Sequence, residues 1–84
     1  MRYVSTRGQA PAVGFVDAVL GGLAPDGGLY VPEAWPQISE REIAGFADKS
    51  YAAVAARVIG AFADGEIAPA DLREMCEEAY STFT

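Results

Sequence analysis

The sequence contains no histidine, one cysteine and a single lysine. Without histidine it lacks the side chain that most often serves as general base or metal ligand near neutral pH. Cys76 alone cannot form an internal disulfide, and nothing in its setting points to an oxidising compartment. Positive charge is also scarce: 6 Lys+Arg stand against 12 Asp+Glu, a net charge of −6. That balance excludes a nucleic-acid backbone or an anionic membrane surface as the expected partner. No long apolar run exists, since the stretch from Tyr51 to Ala63 is interrupted by Arg57 and is too short to cross a bilayer. The first eight residues carry no apolar run behind their charges, so they do not form a secretory signal. A soluble, cytoplasmic chain with no membrane partner is expected.

What is present suffices for one small domain. The chain has 84 residues and is 51 % hydrophobic, which excludes disorder by composition. A domain of this size buries only about 60–65 % of its unfolded surface, enough for a core but not for a deep pocket. Tyr3-Val4-Ser5-Thr6 are strand-formers stopped by Arg7-Gly8. Phe15, Val16, Val19, Leu20 and Leu23 fall on one helical face, ended by Gly21-Gly22. Pro25-Asp26-Gly27-Gly28 reads as a tight turn before a second strand, Leu29-Tyr30-Val31, closed by Pro32. The two strands are expected to pair.

Three further helices are expected. Ser39-Glu40-Arg41-Glu42 is a capping-box pattern opening a short helix with Ile43 and Phe46 as its buried pair. Tyr51, Val54, Ala55, Val58, Ile59 and Phe62 then repeat at helical spacing up to Gly65. Leu72, Met75, Cys76, Ala79, Tyr80 and Phe83 repeat the same spacing behind Pro69 and Asp71. Two matching stripes predict an antiparallel helical hairpin. The expected fold class is α+β and mostly helical: a two-stranded sheet of residues 3–6 and 29–31 with three to four helices.

Candidate chemistry is thin. Glu74, Glu77 and Glu78 share the polar side of the last helix, where a solvated face explains them without an ion or an acid–base pair. Cys76 lies on an apolar stripe with no histidine to activate it, as a structural thiol does. Lys49, within Asp48-Lys49-Ser50, belongs to a polar helix start and not to a desolvated Schiff-base setting. The same segment lacks the Asp-Ser dipeptide of an acyl carrier. Gly27-Gly28 precede a strand and not a helix, so they fit neither a P-loop nor a dinucleotide fingerprint. The residues alone give no self-contained active site: no catalytic, cofactor-binding or metal-binding residue is expected.

The order of the pieces says more. Ser5-Thr6-Arg7-Gly8, then Phe15 through Ala24, then Asp26-Gly27-Gly28-Leu29-Tyr30-Val31-Pro32, together with Trp35-Pro36 and Ala79-Tyr80, resembles the N-terminus of the threonine synthase family across residues 1–84. The resemblance implies a pyridoxal-phosphate lyase that converts O-phospho-L-homoserine and water into L-threonine and phosphate. It also implies that the cofactor lysine, in a Phe-Lys-Asp segment, lies further along and is absent here. The expected partners are then the catalytic domains of the same polypeptide and, for the whole enzyme, its small-molecule substrate. The chain stops just after the apolar Tyr80 and Phe83, which raises the expectation of more chain beyond Thr84. On this reading Ser5, Thr6, Arg7 and Asp26 are candidates for the rim of the substrate cleft, Arg7 being suited to a phosphate. The alternative for Arg7 is a structural one: it caps backbone carbonyls or pairs with Asp17 or Asp26. The alternative for the whole chain is a free-standing acidic helical interaction module.

Overall fold

The computed structural model describes residues 1–82. Its elements are β1 (Tyr3–Ser5), α1 (Phe15–Gly21), β2 (Tyr30–Pro32), α2 (Glu40–Gly45), a 3-10 turn (Phe46–Asp48), α3 (Tyr51–Ala63) and α4 (Pro69–Tyr80). This is the expected α+β class, with a two-stranded sheet and four α-helices.

β1 and β2 pair antiparallel, with Tyr3 opposite Pro32, Val4 opposite Val31 and Ser5 opposite Tyr30. Each strand differs from expectation at its ends: Thr6 and Leu29 fall outside the regular ladder, and Pro32 falls inside it. The hydrogen bonds explain the proline. Glu33 N–H donates to Arg2 O and Thr6 N–H to Leu29 O, each at 2.8 Å. Counting from them, Tyr3–Pro32 is a non-hydrogen-bonded pair, so the missing proline N–H faces the outer edge and costs the ladder nothing. On its other edge Tyr3 exchanges backbone bonds with Val13, at 2.7 and 3.0 Å.

Tyr3 also anchors the sheet to the helices. Its ring meets Phe15 edge-on at 5.8 Å, and its hydroxyl donates to the backbone oxygen of Phe62 near the end of α3. Burial there, with the Glu66 and Asp64 carboxylates nearby, pushes the Tyr3 hydroxyl above its usual range. α1 begins at Gly14, which has no side chain with which to cap it. The carboxylate of Glu66, from the α3–α4 connection, accepts from Phe15 N–H at 2.6 Å and Val16 N–H at 3.2 Å instead. An anion at a helix start satisfies otherwise orphaned donors.

The hairpin forms as expected, but its seam is narrower than the stripes. The rings of Tyr51 and Tyr80 meet at 4.6 Å, and Gly60 faces Leu72, so the start of α3 lies against the end of α4. Leu72 and Cys76 are each only 5 % exposed, whereas Met75 is 54 % exposed. Phe83 lies outside the described residues. On α3 the residues Val54, Ala55, Val58 and Ile59 are half-buried and, with Tyr51 and Tyr80, line an open, largely apolar groove of about 310 Å³. The chain turns at Asp64, in the left-handed conformation (φ 49°), one residue before the expected stop at Gly65.

Two expected core faces are open. Val19, Leu20 and Leu23 of the α1 region are 61 %, 80 % and 63 % exposed, and Ala18 is the buried residue of that helix. α1 spans only seven residues and is in contact with α3. Ile43 is likewise exposed and Phe46 half-buried, so they are not a buried pair. α2 is held differently: Ser39 Oγ accepts from Glu42 N–H at 3.1 Å, and the Glu42 carboxylate reaches Arg57 of α3.

Candidate functional site

The four residues expected at a cleft rim do come together, around the loop from Ala24 to Gly28. The loop closes on itself: Ala24 N–H donates to Gly28 O and Gly27 N–H to Ala24 O, both at 2.9 Å. Gly27 takes φ +84°, a left-handed value that favours glycine. Inside the loop the Asp26 carboxylate is the hub. Its Oδ1 accepts from the Ser5 hydroxyl at 2.7 Å and from Gly28 N–H at 2.9 Å. Its Oδ2 accepts from Gln9 N–H at 2.9 Å. Ser5 Oγ accepts in turn from Arg7 N–H at 3.1 Å.

The two outer residues clamp the loop to β1. Thr6 Oγ1 accepts from Leu29 N–H at 3.0 Å, extending the ladder by a side-chain bond. Arg7 Nη1 donates to the backbone oxygen of Asp26 at 2.9 Å. Gly28 is fixed by space. A Cβ there would run into Ser5 Oγ and come within 3.0 Å of Thr6 Oγ1 and 3.1 Å of the Arg7 backbone nitrogen. The Asp-Gly-Gly-Leu-Tyr-Val-Pro motif thus has a local reason for its second glycine.

The electrostatics follow from these bonds. The Ser5 hydroxyl first, then the Gly28 and Gln9 amides and the nearby Arg7 charge, hold the Asp26 carboxyl below the ordinary 3.8. Donors aimed at a carboxylate stabilise its charged form. A general base working near neutrality needs a raised value, so Asp26 is built as an acceptor and not as a proton carrier. Ser5 is buried, with its hydroxyl committed to Asp26, whereas Thr6 and Arg7 are exposed at the loop's outer edge.

The other candidates are scattered. Glu74, Glu77 and Glu78 are exposed on α4, and Glu77 pairs with Arg73 at 2.8 Å. Cys76 is buried in the hairpin seam. Lys49 is exposed between the 3-10 turn and α3. It borders an open cavity of about 470 Å³ together with Arg57 and Arg73, each of which is paired to a carboxylate. Among the described residues no group of His, Cys, Asp and Glu is placed to hold a metal ion, and no helix is long and apolar enough to cross a membrane. Glu66 as the cap of α1 was not legible in the sequence, because 51 positions separate it from Phe15 and nothing local marks the pair.

The chain is similar in sequence and fold to known proteins. The family model described as the threonine synthase N terminus matches residues 2–80. Threonine synthase of Pseudomonas aeruginosa is 52 % identical over 83 residues, which are 99 % of this chain and 18 % of that protein. Human threonine synthase-like 2 is 39 % identical over 84 residues, 17 % of its length. Among solved structures, the PLP-bound threonine synthase of Brucella melitensis superposes with a TM-score of 0.92 at 53 % identity, covering 99 % of this chain and 18 % of that one. The Escherichia coli threonine synthase gives 0.88 at 27 % identity, covering 96 % and 19 %. The chain therefore spans about a fifth of the length of its relatives, and by family model, identity and fold alike it belongs to the threonine synthase N-terminus family.

Proposed function

We propose that this chain is the N-terminal, non-catalytic domain of a cytoplasmic threonine synthase. The whole protein would convert O-phospho-L-homoserine and water into L-threonine and phosphate, using pyridoxal phosphate held by domains that follow Thr84. The observation that carries this is the 0.92 TM-score at 53 % identity over 18 % of a PLP-bound threonine synthase. The residues present do not themselves suit the cofactor. A Schiff-base lysine needs a desolvated setting, and Lys49 is exposed beside arginines already committed to carboxylates. The Gly27-Gly28 turn spends its amides on the loop and on Asp26. The chemistry accordingly belongs to the rest of the polypeptide, and this domain supplies shape. The test is the full-length protein: it should release equimolar threonine and phosphate from phosphohomoserine, and its cofactor lysine should lie in a Phe-Lys-Asp segment beyond Thr84. A polypeptide that ends naturally at Thr84 would instead favour the free-standing interaction module.

A second reading concerns Arg7, whose exposure at the loop's outer edge favours it. Ser5, Thr6, Arg7 and Asp26 would then form the rim of the substrate cleft, with the Arg7 guanidinium meeting the substrate phosphate. Arg7→Ala in the full-length enzyme should raise KM for phosphohomoserine with kcat retained. Unchanged kinetics with lowered stability would leave Arg7 as the clamp on Asp26 and end the rim reading.

A further inference from the structure

We infer that the exposed side of α1, joined to the neck of the Ala24–Gly28 loop, is the face on which the remainder of the same polypeptide docks. The inference rests on the reading of this chain as one domain of a longer enzyme. Val19 and Leu20 are adjacent exposed residues of α1, Leu23 is exposed just after the helix, and Leu29 is 60 % exposed. The bond from Ala24 N–H to Gly28 O brings the two ends of the loop together, so Leu23 and Leu29 flank one neck at the end of the α1 segment. Soluble monomers rarely leave a run of large apolar side chains bare, and such patches mark contact surfaces.

The charge pattern supports this. In a chain of net charge −6, residues 18–25 and 27–32 carry no charge at all. Asp26 interrupts the stretch, but its carboxylate is turned inward to Ser5, Gly28 and Gln9. The polar cluster therefore does a second job: it turns the one carboxylate of this stretch inward, holds the Arg7 guanidinium against the Asp26 backbone oxygen, and keeps Leu29 in register through Thr6. The committed occupant is the polypeptide beyond Thr84, because the matching region is only 18 % of the length of the Pseudomonas aeruginosa and Brucella melitensis proteins.

The test uses the full-length protein carrying Leu20→Cys, with thiol labelling at that position mapped by mass spectrometry. Docking predicts that the native protein labels about tenfold or more slowly than the same protein in denaturant. A native rate within about twofold of the denatured rate would overturn it, since local access would then match that of an open helix face. Protection that disappears when an oligomer is diluted to monomers would also overturn it, by assigning the face to a second copy. Threonine formation by the unmodified full-length protein, measured in parallel, reports on the functional reading alone.

Discussion

The Ala24–Gly28 loop and the α3–α4 hairpin are held by opposite means. In the loop an aspartate carboxylate, a serine, a threonine and an arginine satisfy one another and the backbone, and Ala24 is its one buried apolar side chain. In the hairpin the contact is apolar and narrow, carried by Leu72 and Cys76 against α3, while the other described residues of both stripes are open or half-open. Directional bonds fix a shape with little area, whereas apolar burial stabilises in proportion to area but leaves any surplus available to a partner. The loop thus reads as a finished object and the apolar faces as unfinished ones, the pattern expected of a domain that meets the rest of an enzyme.

The comparison can be broken first at the hairpin. Leu72→Ala removes the most deeply placed large side chain of the seam and should cost about 2–5 kcal/mol. A domain this small has about 5–10 kcal/mol in total, so the denaturant midpoint of the 84-residue chain should drop steeply. A midpoint close to the parent's would mean the seam is not where the hairpin is held.

Next comes the loop. Gly28→Ala forces a Cβ against Ser5 Oγ and the Arg7 backbone nitrogen and should cost about 1–3 kcal/mol, read from the same denaturation curve. Asp26 then sharpens the comparison through pH. Its folded value lies below the ordinary 3.8, so its contribution is complete above that value and is lost as pH falls through the lower, folded one. Asp26→Asn should be less stable than the parent at about pH 6, with the gap narrowing as the pH falls below 3.8. A gap independent of pH would show that the aspartate's shape, and not its charge, holds the loop. The smallest effect is expected at the open face: Leu20→Ala in the 84-residue chain should change stability by no more than about 0.5 kcal/mol. A larger loss would mean that Leu20 is packed.

These contrasts also show what was legible in the sequence. The strand pairing was, because β-formers between breakers have few other options, and its one-residue offset at Pro32 depends on which edge the nitrogen faces. The cap at Ser39 was legible because capping is local, and Asp48-Lys49-Ser50 was legible as a helix start, where Ser50 Oγ accepts from Ala53 N–H at 3.1 Å. Periodicity found the apolar faces of α1 and α3 but not whether they are covered, since spacing reports that a face is apolar and not what lies against it. The juxtaposition of Ser5, Thr6, Arg7 and Asp26 followed from the strand pairing. Their bonding did not, because a side chain that could meet a ligand uses the same atoms to meet its neighbour. Glu66 and the Tyr3–Phe62 bond join residues 51 and 59 positions apart, beyond any local signal.

The central claim is that this domain shapes the enzyme while the cofactor chemistry lies elsewhere in the polypeptide, and Lys49 tests it most directly as the only lysine in the chain. Full-length protein is loaded with pyridoxal phosphate, reduced with borohydride to fix the cofactor to its lysine, and mapped by mass spectrometry, with threonine formation measured for the parent and for Lys49→Ala. The account predicts cofactor on a lysine beyond Thr84 and parental turnover in Lys49→Ala. Cofactor fixed stoichiometrically on Lys49, with turnover abolished in Lys49→Ala, would contradict it.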